Sequence, residues 1–177
     1  MVAGSSLVAL SGTPAPACLG SGPVNNGKAI IAAGIARDVP EDGIVAGLTA
    51  AMQETGMQNL ANPNVPESMA VAHDGLSADR NSLGVLAQTS SWGSVEELMS
   101  PSVAAGKFFT ALRQGWQRGH DSLATADELA AGVQRAANPD AYANQVPAAR
   151  QFYRAHIDEV RAAPCLSGEK VGTGAVS

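Results

Sequence analysis

Aromatic side chains make up only 4% of this chain and charged ones only 15%. With so little aromatic bulk, Ala, Gly and aliphatic residues must build the core. That favours thin helices packed at short separations over a large β-sandwich. Basic residues are also scarce: Lys and Arg number 11 against 16 Asp and Glu, a net charge of −5. A nucleic-acid binder needs a basic face to neutralise phosphates, so that class is disfavoured. A mostly uncharged sugar chain remains compatible with this balance. No run is long and apolar enough to span a bilayer, so stable membrane insertion is not expected. The opening stretch, Met1 to Leu10, is apolar but lacks the basic start of a signal peptide.

Cysteine is nearly absent as well. Only Cys18 and Cys165 occur, near opposite ends and each close to a proline. Domain termini often lie close together, so the pair reads as a disulfide pinning the two ends in an oxidising compartment. The alternative is two free buried thiols. His73, His120 and His156 are far apart and show no metal-ligand spacing. No metal and no cofactor is expected, and nothing suggests more than a monomer.

What is present is a set of helix signals. The length of 177 residues suits one domain. Residues 1–24 are rich in Ser, Gly, Pro and Ala and read as an extended arm, 25–165 as the folded domain, and 166–177 as a flexible tail. Asn25 and Asn26 suggest a capped helix running to about Arg37. Pro40-Glu41-Asp42 opens a second helix, with Ile44, Val45, Leu48, Ala51 and Met52 as its apolar stripe and Gly56 as its stop. Residues 57–93 are polar and without helical period, too long for a connector; they predict a functional lobe with short hairpins or turns. Capping boxes at Ser94–Glu97 and Thr125–Glu128 start further helices. Another begins at Ser100-Pro101, with Val103, Phe108, Phe109 and Leu112 as buried candidates, and a last one near Pro147 carries Phe152, Tyr153, Ile157 and Val160. The fold class expected is mainly α (α+β): helices around one irregular lobe.

Glu54 is the foremost chemical candidate. It falls in the last turn of the second helix, at the edge of the apolar stripe above Ala50 and Gly47. The negative end of the helix dipole and partial burial both penalise its charge, which predicts a raised pKa. A general acid that protonates a glycosidic oxygen near neutral pH needs that property. Asp74 and Asp79 are candidates for a second carboxylate, as nucleophile or base for water. Asp79 also reads as the ion-pair partner of Arg80, and Asp74 as a turn residue. Trp92 and Trp116 offer faces for sugar rings, with a core role equally open to Trp116.

Five segments in order extend this reading. Gln53-Glu54-Thr55-Gly56 resembles the Gln-Glu-Ser-Gly segment that carries the catalytic glutamate of lytic transglycosylases. Asp79-Arg80-Asn81-Ser82-Leu83-Gly84-Val85-Leu86-Ala87-Gln88 resembles an Asp-Arg-Asp-Ser-x-Gly-Leu-Phe-Gln segment of an actinobacterial secreted or phage-associated lysozyme-like group. Trp92-Gly93 is similar to that group's Gly-Trp-Gly region. Ser100 to Phe109 and Val133 to Ala143 are similar to its Asp-Pro-x-x-Ala-x-x-Phe-Phe and Val-Gln-Arg-Ser-x-x-Pro-Asp-Ala-Tyr-Ala segments.

The resemblance implies a lysozyme-like fold with a glycan cleft between helical body and lobe. It implies a secreted, cell-envelope or virion-associated peptidoglycan enzyme, acting on the bond between N-acetylmuramic acid and N-acetylglucosamine. Glu54 would serve as acid and then base, and a transglycosylase is favoured over a hydrolase. Thr55 would orient the carboxylate in place of the group's Ser, and Ser82, Gln88, Trp92 and Tyr142 would contact substrate or shape its site. The sequence departs from the group at Asn81, Leu86 and Ala87, with Gln88 one place late, a shift that turns it to another face. That departure leaves a second reading: a non-catalytic wall-binding or structural protein of a phage tail or envelope that keeps the fold.

Overall fold

The structure, a computed structural model, describes residues 20–117, 124–136 and 138–163. Cys18, Cys165, His120 and the expected tail at 166–177 lie outside the described residues, as does nearly all of the expected arm. The described part is mainly helical, with one minimal sheet.

Helix α1 spans Pro23–Ile35 and α2 spans Glu41–Thr55. The lobe follows, holding strand β1 at Leu60–Ala61, a 3-10 helix at Pro66–Ala70 and strand β2 at Gly75–Leu76. Then come α3 (Val95–Leu98), α4 (Pro101–Gln117), α5 (Ala126–Gln134), α6 (Asp140–Ala143) and α7 (Val146–Ala162). Both capping boxes form, at Ser94–Glu97 and Thr125–Glu128. Each satisfies backbone N–H groups that a helix start leaves without intrahelical partners.

The start of α1 differs from the expected cap. Pro23 occupies the first helical turn, where its fixed φ suits the helix and its missing N–H costs nothing. Asn25 and Asn26 therefore lie inside the helix. Asn26 is buried, and its side-chain amide reaches the Met57 carbonyl at 2.8 Å and the Asp74 carboxylate at 2.7 Å. It ties α1 to the lobe instead of capping a helix.

Helix α2 is the axis of the body, packed against α1, α4, α5 and α7. Every residue from Gly43 to Ala51 is buried, so the single apolar stripe understates its environment. A helix enclosed all round needs small residues where neighbours come closest. At Gly47 a Cβ would stand 2.9 Å from the Phe109 ring. Ile30, Ile31, Val45, Leu48, Phe108 and Phe109 fill the surrounding core, and the last two rings meet edge to face. Val103, expected inside, is exposed on α4. The lobe has its own small core of Ala61, Leu83, Leu98 and Met99, with Trp92 half-buried against it.

The sheet is not a hairpin. Strands β1 and β2 pair in parallel, Leu60 opposite Gly75 and Ala61 opposite Leu76, joined through the 3-10 helix. A tight hairpin does form further on. Leu83 and Gln88 exchange backbone hydrogen bonds of 2.8 and 2.9 Å around the turn 84–87. Gly84 is required there. Its φ is +78°, and a Cβ would lie 2.0 Å from the Leu98 carbonyl oxygen.

Candidate functional site

The last turn of α2 emerges from the body. Burial ends at Ala51, and Glu54 is exposed where partial burial was expected. The chain stops the helix at Gly56, whose φ of +62° lets it turn away in the left-handed conformation. Glu54 is not left in open solvent. It lines a cavity of about 1070 Å³ walled by the turn 84–87, by α4 and by α5. The Tyr142 hydroxyl, presented by α6, donates a hydrogen bond to its Oε1. Burial and then the Glu54 carboxylate push the Tyr142 phenol above its ordinary range, so it stays a neutral donor.

The other expected site residues divide. Trp92 lines the cavity beside Ser91, and Trp116 both lines it and packs on the main core. Thr55 does not orient the carboxylate. Its hydroxyl lies 2.7 Å from the Val85 carbonyl and 3.0 Å from that of Ala51, joining α2 to the hairpin. Ser82 is buried, and its hydroxyl donates to Asp79 within the same loop.

Gln88 is also turned away from any ligand. It is 1% exposed, with its amide nitrogen 3.4 Å from the Ala104 carbonyl. Ala87, held at φ +48°, faces the cavity in its place. The side chain that follows the turn goes into the core because the hairpin register sends it there.

Asp79 is a loop brace rather than a second acid of the cavity, which it does not line. Its Oδ1 accepts from the Ser82 N–H and the Ser77 hydroxyl at 3.0 Å each and from Asn62 at 3.2 Å, and these partners, not Arg80, hold it. Burial raises its pKa. The Ser82, Ser77 and Asn81 hydrogen bonds outweigh that and hold the carboxyl below the usual carboxylate range. Asp74 likewise accepts from Asn26 and from the Asn59 N–H at 2.9 Å. His73 lies against the Val71 carbonyl and His156 against Phe152 and Glu159. Among the described residues no group of three or more His, Cys, Asp or Glu is placed to hold a metal ion. No helix among them is long and apolar enough to cross a membrane.

Several polar cavity residues escaped the sequence reading, among them Glu128, Gln134 and Arg135. Glu128 and Arg135 line the same wall on α5, and Gln134 donates to the Leu86 carbonyl at 2.8 Å. One Glu128 oxygen is already committed to the Thr125 N–H at 2.8 Å. Arg135 sits at φ +53°, a left-handed helix end that glycine usually fills. Gln134 and Arg135 belong to the Val-Gln-Arg word, which was the available signal. Glu128 was visible only as a cap.

The fold and site thus define a small helical domain with a large polar cleft, whose wall carries Glu54, seated on a phenol donor, and Glu128, partly spent on a helix cap. No family model matches the chain, and no curated protein matches it.

Proposed function

We propose that this protein is a peptidoglycan lytic enzyme with Glu54 as its general acid and base. The observation that carries the reading is the position of Glu54: it ends the central helix on the wall of a cavity large enough for sugar rings, with the Tyr142 hydroxyl on one carboxyl oxygen. Trp92 on the same wall supplies an aromatic face for a pyranose ring. The five segments similar to lytic transglycosylases and their lysozyme-like relatives add to this.

On this reading the Glu54 carboxyl gives its proton to the glycosidic oxygen as the bond to the muramoyl C1 breaks. The neighbouring N-acetyl oxygen bonds to C1. The C6 hydroxyl then displaces it, its proton passes to the Glu54 carboxylate, and a 1,6-anhydro ring closes. One carboxylate serves both steps, which suits a cavity that Asp79 does not line and where Glu128 is partly spent on a cap. Neither metal nor cofactor enters the scheme.

Digestion of purified peptidoglycan, with soluble fragments read by mass spectrometry, tests it. Anhydromuropeptides released by the protein and not by Glu54→Gln support the transglycosylase. Reducing-end products instead assign a muramidase. No release above the Glu54→Gln level favours the second reading, a non-catalytic wall-binding or structural protein. The inward turn of Gln88, with Ala87 at the cavity, is the observation on that side.

A further inference from the structure

A second cavity, of about 580 Å³, opens beside the first. The two share Ser91, Trp92, Ala111 and Gln114 in their walls, so they adjoin, with Trp92 between them. The far compartment differs in charge. Arg37 and Lys107 line it and no acid does. In a chain of net charge −5, that is a local reversal of sign.

Arg37 is built into this place. Its Nη1 donates to the Ala33 carbonyl at 3.0 Å, one turn back on α1. The guanidinium lies across Gly106 of α4, where a Cβ would stand 2.2 Å from Nη2. Arg113 donates to the Arg37 backbone carbonyl and fixes the chain beneath it. Among the described residues no carboxylate pairs with Arg37, and the adjacent Asp38 does not line the compartment. Lys107 is different: its ammonium is 3.2 Å from Glu97, so part of its charge is already answered. A guanidinium presents five donors in a rigid fork that matches a carboxylate, and only one is used here.

We infer that the Arg37 compartment is a carboxylate subsite of the Glu54 cleft, which makes the protein select acid-bearing glycan over neutral glycan. This rests on the glycan reading of the main cavity. The carboxylate has two sources in a wall polymer, the lactyl ether of muramic acid and the peptide stem attached to it.

Binding by the full chain, followed by tryptophan fluorescence, tests the inference. The probes are a neutral N-acetylglucosamine oligomer, a muramic-acid-containing oligomer of equal length with a free lactyl carboxylate, the same oligomer with its peptide stem, and the stem peptide alone. The wild type should bind at least one acid-bearing oligomer about tenfold tighter than the neutral one, and salt should shrink that margin. Arg37→Gln should abolish the margin while leaving the neutral oligomer's affinity unchanged, which also controls for folding. Arg37→Lys should keep part of it. A preference for the stem-bearing form, or measurable binding of the stem alone, assigns the source to the peptide; a preference already present without the stem assigns it to the lactyl group. Equal binding of acid-bearing and neutral oligomers, or a margin that survives Arg37→Gln, overturns the inference and leaves the glycan reading standing. Failure of every glycan to bind overturns both.

Discussion

The Tyr142 hydroxyl donates to Oε1 of Glu54 across 88 residues of sequence, joining the short helix α6 to the end of α2. This contact orients the carboxylate that the proposed chemistry uses. Glu54→Gln should therefore lower release of muropeptides by at least about a hundredfold with no change in the circular dichroism spectrum. Tyr142→Phe should keep substrate affinity and lower kcat by about tenfold, since orientation and not binding is lost. Steady-state kinetics on a soluble glycan separates the two effects.

Alkaline pH should unfold the protein with an unusual optical signature. Burial pushes both of its tyrosines, Tyr142 and Tyr153, above the ordinary value of 10.0, with Glu54 adding at the first and Glu41 at the second. A raised phenol favours the folded state fully below the unfolded value, and that contribution is lost as pH rises from there toward the folded value. Phenolate absorbance should thus stay flat to about pH 10 and appear together with loss of helix. A separate, earlier phenolate titration in the folded protein would contradict this.

Gly84→Ala should cost about 3 kcal/mol in stability, because it adds a Cβ against the Leu98 carbonyl at a left-handed backbone position. Urea denaturation measures it. Lobe and body should lose stability together, since Gly84 also donates to the Leu60 carbonyl at 2.8 Å and holds the hairpin on β1.

Asp79→Asn should lower stability by about 1 kcal/mol at neutral pH while lytic activity persists. The carboxyl is held below its usual range, so its contribution is present above the unfolded value of 3.8 and is lost as pH falls through the folded one. The stability difference between wild type and Asp79→Asn should accordingly shrink in acid. An Asp79→Asn protein that folds as stably as the wild type yet releases no muropeptide would restore Asp79 as a second acid.

Local chemistry made the helix ends legible. Gly56, Ser94 and Thr125 act within a turn of their own positions, so each could be read from a few neighbouring residues. The mainly helical class and the emergence of Glu54 at the end of a helix followed from the same kind of signal. What stayed hidden depends on distant partners. The enclosure of α2 on all sides needs α5 and α7, which come later in the chain. Asn26 has the residue type of a cap, but its partners are Met57 and Asp74. The inward turn of Gln88 follows from a hairpin with left-handed backbone at Gly84 and Ala87, and alanine carries no signal for that conformation. Glu128 and Arg135 join the cavity only because α5 forms one of its walls.

Gln134 spans from α5 to the Leu86 carbonyl and so links two sides of the cleft by a single amide. That strut presets the gap between them before anything enters. On the proposed reading, a glycan strand seated against Trp92 would meet a gap whose width that amide already sets.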